Sequence, residues 1–422
     1  MDYTLDTLPN GLRVITVELP NFESATLSVW AAVGSRYENP KISGISHFLE
    51  HMVFKGSKKR PTAKAISEAI DSFGGEFNAS TSKEWTNFYI RARVGKIETA
   101  FDVLSDMVLN PILDVKEIEK EKGVICEEIA MYEDTPMAKI DDVFENLIFK
   151  GNFMATDIIG TKESVRGIQK SDFVSYRKSH YFTDNILLTV AGGVKRKDVI
   201  GLASKYFKSV KNSKTKEPEK FQSLQEKPQV LLKSKKNDQG HLIAGFLGRE
   251  RGHEKRYEEV VLNSILGGGM SSRLFLEVRE KRGLCYAVKS SSEYYKETGY
   301  LSVYAGVDLK RIDESIKVIL DQMYGLASGK YKITNKELTK AKEYIKGHMA
   351  LSLENTKAVG AYFGLRQLLL RKIETPQEAI EKINKVTAEG VRDYAKSIFK
   401  PSRLNLAVIG PFEDSKRFEK LL

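Results

Sequence analysis

Two hydrophobic periods run along the chain. Short segments with apolar residues at alternate positions or in near-continuous runs predict strands: LRVITVEL from Leu12, TLSVWAAVG from Thr26 and NFYIRAR from Asn87. VLLKSK from Val230, HLIAGFLG from His241 and YLSVYAGV from Tyr300 do the same in the second half. Longer segments with apolar residues every three or four positions predict amphipathic helices, as in AKAISEAIDSFG from Ala63 and NKELTKAKEYIKGHM from Asn335. Strands mixed with helix pairs predict an α+β architecture, with helices packed on a mainly antiparallel sheet.

The two halves resemble each other. YRKSHYFTDNILLTV, Tyr176 to Val190, matches YAKSIFKPSRLNLAV, Tyr394 to Val408, in register at Tyr, Lys, Ser, Leu and Val. KIETAFDVLSDM from Lys96 resembles RIDESIKVILDQM from Arg311. Two homologous domains are therefore expected, residues 1–211 and 227–422, joined by a linker at 212–226. A chain of 422 residues also exceeds the size at which one core usually stops growing.

Composition narrows the class. With 41% apolar and 29% charged residues the chain reads as soluble and globular, and no apolar run approaches the ~18 residues of a membrane span. The formal charge of +11 invites a nucleic-acid partner, but 67 basic residues are scattered among 56 acidic ones. The densest basic run, Lys205 to Lys220, reads as a solvated helix end followed by the linker. No nucleic-acid or membrane partner is expected. Cys126 and Cys285 are too few for a disulfide framework, and the N-terminal stretch has neither signal- nor transit-peptide layout. Both point to the cytoplasm.

GISHFLEHMVF, from Gly44, places His47 and His51 one helical turn apart on one face, with Glu50 displaced around the same side. Two readings fit: core histidines beside a solvated glutamate, or a metal site with its own base. Two neutral imidazoles at this spacing can take adjacent corners of a tetrahedral zinc ion. A carboxylate beside them can accept the proton of a water whose pKa the metal lowers to ~7. Downstream, DVKEIEKEKGVICEEIAMYED, from Asp114, has a helical stripe of Ile118, Glu121, Ile125, Glu128 and Tyr132. Two carboxylates on a core-facing stripe call for a cation or a buried partner. Glu127 points about 100° away, where it is expected to be solvated or a local ion partner.

Taken together, HFLEH, GGEFNASTSKEWTNFY and EKEKGVICEEIAM resemble the motifs of the pitrilysin-type metallopeptidases, the inverted H-x-x-E-H zinc enzymes. The resemblance extends over essentially the whole chain. It implies one Zn2+ per chain on His47, His51 and Glu128, Glu50 as general base, and Glu121 as the carboxylate that orients a ligand histidine. It further implies that Asn78, Ala79 and Ser80 lie on an edge strand that pairs with extended substrate. Arg279 and Tyr286 match the residues that contact substrate and stabilise the tetrahedral intermediate. Gly283 is expected to end the helix that carries Arg279, which places Tyr286 on the next strand. Cys285 is expected to pack rather than react.

The second half repeats neither H-x-x-E-H nor the paired glutamates; His348 falls about where Glu128 would, and a lone histidine there is expected to be a core residue. The implied function is a zinc metalloendopeptidase that hydrolyses peptides or unfolded segments inside an enclosed chamber, as a homodimer. The alternatives are the catalytic subunit of a hetero-oligomeric processing peptidase and, because relatives with decayed motifs exist, a non-catalytic structural subunit. The intact motif residues argue against the last.

Overall fold

The computed structural model describes residues 1–214 and 217–422, which form two compact units. The units do not follow the contiguous halves 1–211 and 227–422. The first comprises residues 1–130, 156–219 and 350–376; the second comprises 131–155, 220–349 and 377–422.

In the first unit six strands form one sheet: β1 (Thr4–Thr7), β2 (Arg13–Glu18), β3 (Ser24–Ala31), β4 (Glu76–Thr81), β5 (Thr86–Arg93) and β6 (Ile186–Gly192). Their order is β1-β2-β6-β3-β5-β4, antiparallel except for the β2/β6 pair. Register places Leu27 between Ile90 and Val190. The central strand β6 is buried along its whole length, so it shows no alternation in sequence. Helices α1 (Ile45–Val53), α2 (Ala63–Asp71), α3 (Ile97–Leu109) and α4 (Val115–Asp134) lie in this part of the chain. Phe48, Leu104, Ile118 and Ile125 bury their apolar faces in one core with Leu27, Phe88 and Val190. The opposite face of the sheet is covered by the helix Thr356–Leu370, whose Val359, Phe363 and Leu368 meet Ile15, Trp30 and Leu187. Gly364 permits that close approach: a Cβ there would lie 2.9 Å from Trp30 Nε1 and 3.0 Å from Thr189 Cγ2.

In the second unit β7 (Gln229–Ser234), β8 (Gln239–Leu247), β9 (Cys285–Tyr294), β10 (Gly299–Asp308) and β11 (Asn405–Gly410) form a sheet ordered β7-β11-β8-β10-β9. Here too a single pair, β7/β11, is parallel. One face packs against the helices Arg256–Gly267, Ile312–Ser328 and Ala388–Ile398. The other face is covered by α5 (Pro136–Ile148), whose Ile140, Val143 and Phe144 meet Ile243, Tyr300 and Ala407. Each sheet thus has helices on both faces, and a single helix covers the second one. The two-domain α+β plan expected from the sequence is the fold observed.

Candidate metal centre

Helix α1 starts at Gly44, which adopts φ +91°, and buries Ile45, Phe48, Leu49 and Met52. That leaves the His47–Glu50–His51 side against α4 and β4. The rings of His47 and His51 are 4.6 Å apart. His47 Nε2 lies 3.7 Å from Glu128 Oε1, and His51 Nε2 lies 3.5 Å from Glu128 Oε2. Ligands of a tetrahedral zinc, each about 2.0–2.1 Å from the metal, stand roughly 3.3 Å from one another. The three donors fit that ion, and they form the one His/Cys/Asp/Glu cluster of metal-binding geometry among the described residues.

Burial, reinforced by the His51 charge, pushes His47 down to about 3, so its imidazole is neutral and able to bind a metal. Desolvation also raises the Glu128 carboxyl above the ordinary range. His51 Nδ1 lies 2.9 Å from Glu121 Oε1 and donates to it when Nε2 faces the metal. The second Glu121 oxygen takes Lys55 Nζ at 2.6 Å. These two partners hold Glu121 below the ordinary carboxylate range although burial, its largest influence, opposes them. Glu127 is exposed, as its helix face predicts. One expectation for α4 needs correction: Tyr132 is 38% exposed rather than on the core stripe. Lys122 on the same helix is buried, paired to Glu119 at 2.8 Å. The stripe turns outward as α4 passes Ile129, beyond the last side chain packed on the first core.

Glu50 is half-buried, and burial raises its carboxyl. Thr81 Oγ1 donates to its Oε2 at 2.5 Å. Thr81 and Lys55 were not singled out in the sequence. Alternation along β4 puts Thr81 on the same inward side as Phe77 and Ala79, and Lys55 follows His51 at i+4; both signals are visible once the helix and strand are accepted. β4 is an edge strand, bonded on one side to β5, with Asn78 and Ser80 directed outward and Ala79 inward.

In the second unit Arg279 lies in a π-helical turn, Phe275–Glu280, with its guanidinium 4.8 Å from the Phe275 ring centre and 5.1 Å from that of Tyr286. The expected helix end is a π-turn followed by Gly283 at φ +58°, and Tyr286 then falls on β9, 77% exposed. Both residues line a cavity of about 480 Å³ with Met137, Asp141, Lys289 and Tyr304. Burial pushes the Cys285 thiol up to about 11, which fits packing and not nucleophilic attack. His348, expected in the core, is instead exposed, its ring tilted against that of Tyr344 with 4.1 Å between centres.

The profile of the family described as Insulinase (Peptidase family M16) matches residues 13–162, and that of the Peptidase M16 inactive domain matches residues 167–345. The chain belongs to peptidase family M16. It is 38% identical over 408 residues to the Uncharacterized zinc protease YmxG of Bacillus subtilis, covering 96% of this chain and 97% of that one. It is 35% identical to an uncharacterized zinc protease of Streptomyces coelicolor, over 97% of this chain and 90% of the relative. Among solved structures, a protease from Helicobacter pylori superposes with a TM-score of 0.91 at 23% identity, covering 97% and 99% of the two chains. A chain of complex III2 from Candida albicans superposes with 0.85 at 19%, covering 99% of each. At these identities the two structures show the shared fold alone. No helix among the described residues is long and apolar enough to cross a membrane.

Proposed function

We propose that the chain is a zinc-dependent endopeptidase that holds one zinc on His47, His51 and Glu128 and cleaves peptides or unfolded segments paired to β4. The convergence of both Nε2 atoms on the Glu128 carboxylate, on the same helix face as Glu50, carries this reading. When bound, zinc supplies Lewis acidity toward water and the scissile carbonyl. Glu50 takes the proton of the attacking water and delivers it to the leaving amine; its raised carboxyl suits both transfers. Thr81 holds one Glu50 oxygen and so aims the other. Glu121 fixes His51 as the Nδ1–H tautomer and keeps the Nε2 lone pair on the ligand side.

The outward-facing backbone groups of β4, which alternate with those bonded to β5 across Asn78, Ala79 and Ser80, bind extended substrate without reading its side chains, the Ala79 N–H exchanging its bond to Asn78 Oδ1 for one to substrate. In this proposal Arg279 and Tyr286 act on the developing oxyanion, and two copies pair as a homodimer to enclose the substrate. The free cysteines Cys126 and Cys285 accord with a cytoplasmic setting. The test is digestion of a peptide library read by mass spectrometry: chelator should abolish cleavage and zinc should restore it. A zinc-loaded protein that leaves every peptide intact would overturn the proposal.

A further inference from the structure

A nine-residue helix that supplies two ligands and a base has little length over which an error in its placement can be absorbed. Two backbone N–H groups at the N-terminus of α1 are held by one carboxylate. Glu38, buried at 8% exposure, accepts the Gly44 N–H on Oε2 at 2.7 Å and the Ser46 N–H on Oε1 at 2.8 Å. These donors are among the helix N–H groups that have no partner within the helix, and the negative charge sits where the helix dipole favours it. The surrounding backbone leaves no slack. A Cβ on Gly44 would lie 2.5 Å from the Ile159 carbonyl oxygen, and one on Gly160 would lie 2.5 Å from that of Ser43. Ser164 donates to the Ser43 carbonyl at 2.7 Å, and the Ser46 hydroxyl meets the Tyr176 hydroxyl at 2.6 Å.

One hydrogen bond to a helix end fixes its position along the axis. Two bonds, to N–H groups two residues apart and each on a separate oxygen, also fix its rotation. Ser46 immediately precedes His47, so rotation there moves the first ligand directly. We propose that Glu38 is a positioning residue for the metal centre: its carboxylate sets the height and rotation of α1 so that His47 and His51 both meet Glu128. The proposal rests on reading that cluster as the zinc site. Sites of this kind tolerate displacements of only about 0.5 Å, and partners one step removed from a metal typically govern about 10–100-fold in affinity.

The test measures zinc affinity by competition with a chromophoric chelator at pH 8, where Glu38 is ionised although burial pushes it up to about 7. Glu38→Ala should weaken zinc about 10–100-fold. Glu38→Gln, which keeps one acceptor and turns an NH2 toward the other donor, should fall between Glu38→Ala and the unaltered chain. Should Glu38→Ala not fold, Glu38→Gln carries the measurement. Phe246→Leu, a core change in the second unit, should lower the melting temperature and leave zinc affinity unchanged. Tight zinc binding by the unaltered chain with equal affinity in the folded Glu38 variants would overturn the positioning role. Failure of the unaltered chain to bind zinc would instead overturn the function proposed above.

Discussion

The strand order β2-β6-β3-β5-β4 of the first unit recurs in the second as β7-β11-β8-β10-β9, so β9 holds the edge position in its sheet that β4 holds in the first. Tyr176 and Tyr394, which match in sequence, also do matching work. Tyr176 meets Ser46 at the start of α1, and Tyr394 bonds the buried carboxylate of Glu259 in the first turn of the helix Arg256–Gly267. A buried acid stands near the head of the helix in both units: Glu38 reaches it from outside, whereas Glu259 belongs to it. Among the described residues only the first unit adds two histidines, Glu50 and a carboxylate facing the histidines. The sheet, its helices and even the buried tyrosine–acid end are therefore compatible with having no metal site. In the proposed function the chemistry resides in a few side chains placed on a shared scaffold.

The comparison can be pressed first on the ligands. His51→Ala should abolish zinc binding. Glu128→Gln should lower zinc content sharply, and Glu121→Gln should weaken affinity about 10–100-fold. Glu127→Gln and His348→Ala should leave zinc content at the level of the unaltered chain, because Glu127 faces solvent and His348 joins no cluster of metal-binding geometry among the described residues. Equal affinities for the Glu127 and Glu128 variants would show that the ligand face of α4 has been misassigned.

A second test asks whether the units divide the reaction across two copies of the chain. Glu50→Gln and Arg279→Ala proteins, each inactive alone, should regain activity when mixed, since one site of each mixed dimer then has both groups. No recovery despite demonstrated subunit exchange would contradict a site shared across the homodimer.

A smaller effect separates His180 from its counterpart Ile398. Burial pushes His180 down to about 4, and its ring packs against Tyr176 and Tyr37. An unfolded histidine titrates near 6.5, so between pH 6.5 and 4 the unfolded chain binds the proton first. The stability conferred by the neutral ring is complete above 6.5 and is lost as pH falls toward 4, on the order of 3 kcal/mol in all. His180→Ile, which borrows the second unit's residue, should flatten that acid slope in thermal melts of the zinc-loaded protein. An unchanged slope would remove His180 from the account.

Much of the site was legible because its signals are local. The i, i+4 histidines and the glutamates two turns apart on one stripe follow from the helix period, whereas the strand after Gly74-Gly75 was legible through the family resemblance. The exchange of covering helices was not legible. The apolar faces of α5 and of Thr356–Leu370 do not name the sheet each one covers, which depends on the path of the whole chain. Glu38 was missed for a similar reason: it lies in a loop, and its significance appears only when folding brings it to the head of α1. Lys122 shows the limit of charge as a guide to exposure, since its long stem can be buried while its amine reaches Glu119.

The central claim is that metal binding and proton transfer belong to different residues on one helix face, and Glu50→Gln separates them. The variant should retain one zinc per chain by metal analysis while its peptide hydrolysis falls at least ~10²–10⁴-fold, the range for loss of a general base. Hydrolysis at the unaltered rate by zinc-loaded Glu50→Gln protein would contradict the account.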